Sequence, residues 1–135
     1  MNEDYVVDAS ALVDFIERER QVPVLEDLFE NPEIRMHVPQ LCDIEIAAAL
    51  RKRLIAREIE EDGALDRLRQ YASLPLERHD LMGFLPLILR WRKNFTAYDA
   101  CYMVLAQEFS APLVTTDRRL ARAARQHSAV TIIDA

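Results

Sequence analysis

Tyr5-Val6-Val7-Asp8-Ala9-Ser10-Ala11-Leu12 is the stretch that decides how the chain is read. An apolar, β-branched run that stops on an aspartate and passes at once into helical spacing predicts a strand, a turn and a helix. Open parallel α/β sheets carry their ligands at the carboxyl ends of the strands, which is where this run leaves Asp8. The pattern returns near the other end, in Pro112-Leu113-Val114-Thr115-Thr116-Asp117 ahead of an Arg- and Ala-rich segment. Two acids at equivalent strand ends, with more acids on apolar helix faces between them, suggest a carboxylate cluster that holds a divalent cation.

Between these ends the chain alternates strands and helices. Periodicity predicts a strand over 5–8, helices over 10–18 and 22–30, and a strand over 34–38 ending at Pro39. Helices follow over 41–55 and 59–72, then a short strand over 74–76 and helices over 81–91 and 96–109. A strand over 113–115, a helix over 118–125 and a strand over 130–133 complete the series. Strands separated by helices imply an α/β fold, a mostly parallel sheet with helices on both faces.

The bulk properties narrow the classes. At 135 residues, with half of them hydrophobic and 30% charged, 1–135 reads as one domain with a core of its own. No apolar stretch approaches the roughly 20 residues that span a bilayer. Met1-Asn2-Glu3-Asp4 lacks the basic start of a secretory signal, so a cytoplasmic location is expected. Cys42 and Cys101 lie apart inside helical segments and read as two buried thiols in a reducing compartment. A net charge of −6 argues against nucleic-acid binding by bulk electrostatics, though not against an acidic site with locally grouped arginines. Two glycines leave no phosphate-cradling loop. His37, His79 and His127 are scattered, without a metal-ligand spacing, and histidine catalysis is not expected.

Four acids merit weighing against plainer roles. Asp8 and Asp117 each precede a helix and could simply cap it. Ser10 could take over the first cap and free Asp8. Glu45 has Leu41, Ala48 and Ala49 at helical spacing, apolar company for an acid. Asp43 beside it reads as an ordinary exposed acid. Asp99 lies in the first turn of a segment started by Thr96, yet Phe95, Tyr102 and Met103 are its neighbours. Several carboxylates in one place need a counter-charge, and oxygen ligands select Mg²⁺ or Mn²⁺ over zinc. Thr115 and Thr116 offer hydroxyls that could orient such a carboxylate.

The blocks V-V-D-A-S-A-L, V-P-Q-L-C-D-I-E-I-A-A-A-L, T-A-Y-D-A-C-Y-M-V-L-A and L-V-T-T-D-R-R-L, in this order, resemble the PIN-domain ribonucleases. More narrowly they are similar to the VapC-type toxins of toxin–antitoxin pairs. The resemblance implies a PIN-like fold and puts the family's acidic quartet on Asp8, Glu45, Asp99 and Asp117, with supporting hydroxyls on Thr115 and Ser10. Many relatives carry Asn before the fourth acid, where this chain has Thr116. The activity implied is that of a Mg²⁺- or Mn²⁺-dependent endoribonuclease, which hydrolyses RNA phosphodiesters with an activated water. A VapB-like antitoxin and a homodimer are the implied partners.

RNA contact would need local positive charge. Arg118, Arg122 and Arg125 share a helix face, with Arg119 adjacent; Arg51-Lys52-Arg53, Arg57, Arg90, Arg92 and Lys93 are other candidates, or ordinary helix-end charge. On the 41–55 helix, Leu41, Ile44, Ala48 and Ile55 stand on one side and Ile46, Leu50 and Leu54 on another, which predicts either burial on two sides or an interface. The competing readings are a PIN nuclease of RNA processing, a PIN-like binding module without catalysis, and a phospho-acceptor receiver domain. The last would need a lysine at a late strand end, and none is there.

Overall fold

Val6 and Val7, both fully buried, put strand β1 (Asp4–Val7) at the centre of the sheet. The structure is a computed structural model that describes residues 3–17 and 22–135. After β1 come α1 (Ala9–Glu17), α2 (Pro23–Glu30), β2 (Arg35–Pro39), α3 (Leu41–Ile55) and α4 (Glu61–Ala72). Next are β3 (Leu76–His79), a 3₁₀ turn (Met82–Phe84), α5 (Leu85–Arg90), α6 (Ala97–Glu108), β4 (Leu113–Thr115), α7 (Arg118–His127) and β5 (Ile132–Asp134). Among the described residues no helix is long and apolar enough to cross a membrane.

All five strands are parallel, in the order β3-β2-β1-β4-β5. From β1 the chain moves outward through β2 to β3, then returns to lay β4 and β5 on the other side. The direction of winding therefore reverses between β1 and β4, and at such a junction a crevice opens beyond the carboxyl ends of the strands. The order differs from that of receiver domains, whose first strand is flanked by the second and third. Helices α1, α3 and α4 pack on one another, while α6 packs across β1, β2 and β4 with α5 against it. α6 is buried along most of its length, through Ala100 and Tyr102 to Ala106, as a helix apolar nearly all round must be.

Several boundaries move from their sequence expectation. Asp8 lies one residue beyond β1 and α1 starts at Ala9; the expected last residue of that helix, Arg18, lies outside the described residues. The short strand is at Leu76–His79, not 74–76, because Leu74 closes a turn on Tyr71 and Pro75 has no N–H to pair. The helix expected over 81–91 is a 3₁₀ turn followed by the short α5, since Pro86 fits only in a first helical turn. The strand expected over 130–133 is Ile132–Asp134, and the helix expected over 59–72 begins at Glu61.

The α3 helix is not buried on two sides. Cys42, Ile46 and Leu50 face the core, whereas Ile44 is 67% and Ile55 64% exposed. Cys42 is buried, with its thiol pushed up to about 11 mainly by desolvation; Cys101 is only partly buried, and both are free.

With so few glycines, two helices among the described residues end on other residues in the left-handed region. Arg57 (φ 58°) follows α3 and Ser110 (φ 48°) follows α6. Ser110 N–H donates to the Gln107 carbonyl at 3.2 Å and Ala111 N–H to that of Ala106 at 2.8 Å, a Schellman closure that normally takes glycine. A left-handed non-glycine costs roughly 1–2 kcal/mol, less the greater unfolded-state freedom of glycine. Ser110→Gly should therefore raise stability by up to about 1 kcal/mol in urea unfolding; a loss would contradict this account of the turn.

Candidate active site

Asp8 is the most buried acid of the set, 4% exposed, and each of its oxygens is held. Ser10 Oγ donates to Oδ1 at 2.7 Å and the Ala11 N–H reaches the same oxygen at 3.1 Å. Thr115 Oγ1 donates to Oδ2 at 2.7 Å and accepts from the Asp117 N–H at 2.9 Å. Asp8 thus caps α1 itself, and Ser10 supports the carboxylate instead of replacing it. Because both hydroxyl protons go to Asp8, the 3.4 Å approach of Ser10 Oγ and Thr115 Oγ1 is a contact of two oxygens, with Thr116 N–H donating to Ser10 at 3.3 Å.

The other three acids stand around the same rim. Tyr102 hydroxyl, from α6, donates to Glu45 Oε1 on α3 at 2.6 Å. Asp99 lies in the first turn of α6, whose cap is Thr96 Oγ1 accepting the Asp99 N–H at 3.1 Å. Asp117 caps α7 with Oδ1, which takes the N–H groups of Arg119 and Leu120 at 2.9 and 3.2 Å. Its Oδ2 is left for the rim. Capping and membership of the cluster are therefore compatible, since a carboxylate has two oxygens. The helix starts also turn their positive dipole ends toward the acids.

Electrostatics ties the four together. Desolvation raises Asp8 above its ordinary value, helped by the charge of Asp117 and opposed by its hydrogen bonds. Glu45 is raised by burial and then by the charges of Asp8 and Asp99, with the Tyr102 bond opposing. Asp99 is raised by burial; Arg119 pulls it down and Asp117 pushes it up. Arg119 Nη2 sits 3.1 Å from Asp99 Oδ2 and 3.7 Å from Asp117 Oδ2, so this exposed arginine lies over both acids as a counter-charge. Arg118 and Arg122 stay exposed, and Arg125 pairs with Asp134 at 2.5 Å. No three of the quartet's carboxylates bring one oxygen each within 4.8 Å of one another. Three acids raised by repulsion and burial, offering only oxygen donors, can hold a hard divalent cation.

Beside the acids a cleft of about 510 Å³ is lined by Ala9, Ser10, Val13, Asp14, Glu45, Ala49 and Thr116. Asp14 is absent from the sequence expectations; its signal is the i+4 spacing from Ser10 on α1. Asp43 is not a free acid, for Tyr71 hydroxyl donates to it at 2.6 Å and Arg78 Nε at 2.9 and 3.0 Å. Arg53 is engaged by Glu17 and Glu58. Two of the three scattered histidines also meet, His37 and His79, on neighbouring strands.

A family profile for the PIN domain matches residues 5–126. The chain belongs to the PIN-domain family. It is 37% identical over 102 residues to ribonuclease VapC9 of Mycobacterium tuberculosis, covering 73% of this chain and 78% of the relative. It is 37% identical over 126 residues to ribonuclease VapC3 of the same organism, covering 90% and 88%. Within the PIN family the chain thus groups with the VapC ribonucleases. In fold it is similar to PAE2754 of Pyrobaculum aerophilum, with TM-score 0.71, 23% identity, and 96% and 82% of the two chains covered. It is also similar to VapBC2 of Rickettsia felis bound to a DNA fragment from their promoter, with TM-score 0.66, 17% identity, and 97% and 98% covered.

The raised carboxyls of this PIN domain have a consequence for stability. An acid whose pKa is higher folded than unfolded binds more protons in the native state, so stability falls as pH rises. For Asp8 the fall begins near its ordinary value of 3.8 and continues up through the raised one. Asn caps helices as well as Asp. In chelator, Asp8→Asn should therefore melt no lower than the unsubstituted protein at pH 7, and its advantage should shrink toward pH 4. A lower melting temperature at pH 7 would contradict the burial argument.

Proposed function

We infer that the chain is an endoribonuclease, the toxin of a VapBC-type pair, and we propose that Asp8, Glu45, Asp99 and Asp117 are its catalytic acids. What supports this is that Asp8, Glu45, Asp99 and Asp117, from distant segments, come near enough for their charges to act on one another, within a chain of VapC kinship. The acids would hold Mg²⁺ or Mn²⁺, which when bound polarises the phosphodiester and makes water a better nucleophile at neutral pH. The residues of the chain do the rest. Ser10 and Thr115 fix Asp8 through both oxygens, so it needs no reorientation when a ligand arrives. Tyr102 holds Glu45 the same way from across the rim. Its own proton stays in place, because burial and then the neighbouring Cys42 and Glu45 push the phenol far upward. Arg119 lies against both Asp99 and Asp117 and offsets part of their repulsion.

RNA would approach along the cleft beside Glu45, with Arg118 and Arg122 exposed for its phosphates. The exposed apolar side chains Ile44 and Ile55 on α3 suit a partner surface, for a VapB-like antitoxin or a second copy of the chain. The reading treats 1–135 as one nuclease domain acting in the cytoplasm.

Purified protein incubated with RNA should cleave it in Mn²⁺ or Mg²⁺ and not in chelator. Asp8→Asn and Asp99→Asn should reduce cleavage to background while circular dichroism shows the fold intact; full activity in both would sink the assignment. Thr115→Val and Ser10→Ala, which remove the hydroxyls that support Asp8 and receive the Asp117 and Thr116 N–H groups, should lose roughly 10- to 100-fold. RNA binding should weaken steeply with salt, and the slope should flatten in Arg118→Ala/Arg122→Ala. Growth arrest on expression, relieved by the product of a neighbouring gene, tests the toxin role.

A further inference from the structure

Outside the acid quartet, the described residues hold one group of three metal-type donors within 4.8 Å of one another: His37, Glu77 and His79. Strand geometry assembles it. Glu77 and His79 are two apart on β3 and share a face of the sheet, and His37 on β2 is in register with Glu77. His37 is 1% exposed, and its ring is clamped by Phe109, stacked at 3.9 Å and 9°. On its far side Nε2 lies 2.7 Å from Asp4 Oδ1. Arg35 also bonds Asp4, at 2.8 and 3.0 Å. A carboxylate paired with an arginine is an acceptor, so Nε2 of His37 carries the proton and Nδ1 can present a lone pair. A carboxylate behind an imidazole is the usual support for a metal-bound histidine.

We propose that His37 Nδ1, His79 Nε2 and Glu77 form a second cation site, for a transition-metal ion of the zinc class, separate from the acid quartet. A hydrogen bond between the two rings, whose nitrogens are 2.8 Å apart, leaves Glu77 Oε2 facing His37 Nδ1 at 3.5 Å with nothing positive between them. A cation answers all three groups at once. Two nitrogens at ~2.0–2.1 Å from one ion stand roughly 2.9 Å apart at a right angle and ~3.4 Å apart at the tetrahedral angle. The observed spacing is close to the first and needs only a small swing of the part-exposed His79 to reach the second. Two imidazoles and one carboxylate favour zinc-class ions over Mg²⁺, the reverse of the quartet's preference. The two sites share no residue. Asp99 is in the first turn of α6 and Phe109 caps its far end, about 15 Å along the helix.

The competing occupant is a proton on His37 Nδ1, and a titration decides between them. Metal-free protein is placed in excess Mg²⁺, which occupies the oxygen-only site. Zn²⁺ is then titrated calorimetrically, and Co²⁺ is added separately as a visible-absorption probe. The expected result is uptake of one equivalent, with a Co²⁺ spectrum that Zn²⁺ abolishes. His79→Ala and Glu77→Gln, both on an edge strand and checked by circular dichroism, should weaken it at least about tenfold, and Asp4→Asn by roughly 10- to 100-fold. Asp99→Asn should leave it unchanged. Absence of saturable Zn²⁺ uptake overturns the proposal, and so does uptake that persists at full strength in His79→Ala and Glu77→Gln. Neither result bears on RNA cleavage, so this site and the nuclease reading stand or fall separately.

Discussion

A carboxylate buried at the seam between β1 and β4 is the constraint on which the rest of the site depends. Removing Asp8 from water is costly unless its oxygens are met by donors. The donors come from both sides of the seam, Ser10 and Ala11 from the start of α1 and Thr115 from the end of β4. The backbone runs the same way, since the Asp8 N–H donates to the Val114 carbonyl at 3.1 Å and continues the ladder past the end of β1. The register of two strands and the orientation of one acid are therefore set by the same few bonds. Thr115 extends this to Asp117 by accepting its N–H, so two acids distant in sequence share one hydroxyl.

The rim acids are also helix starters. Asp117 shows how the roles combine, one oxygen closing the first turn of α7 and the other turned toward Asp99 and Arg119. The arrangement lets a small chain concentrate negative charge without long supporting loops. Helix dipoles, an overlying arginine and three hydroxyls offset part of the cost, while burial first and mutual repulsion second raise Asp8, Glu45 and Asp99. A site that is uncomfortable when empty of cations is suited to attracting one.

How much of the molecule is legible in the sequence depends on how strongly each segment is patterned. The apolar run of β1, the buried stripe of α6 and the strand-to-cap transition at Asp117 carry clear periods, and their elements fall close to where expected. Leu76-Glu77-Arg78-His79 has little apolar signal because it is an edge strand, and the apolar Leu74 draws its expected position away. With the strand misplaced, the meeting of His37 and His79 is invisible, as it depends on pairing between β2 and β3 across 42 positions. The pairing of the exposed Arg119 with Asp99 joins two helices twenty positions apart, which no local pattern announces. Asp14 is hidden for a similar reason, being one acid among many on a helix until Glu45 and Thr116 stand opposite it.

The composition of β3 has a consequence of another kind. A five-stranded open sheet has two unpaired margins, each a template on which a foreign strand could add. One margin is β5, only three residues long and closed by the Arg125–Asp134 pair. The other is β3, where Glu77 and His79 project to one side and Arg78, tied to Asp43, to the other. Charges on both faces of the outermost strand discourage edge-to-edge stacking of one molecule on the next. The polar residues that make this strand hard to recognise thus help keep the sheet from growing between molecules.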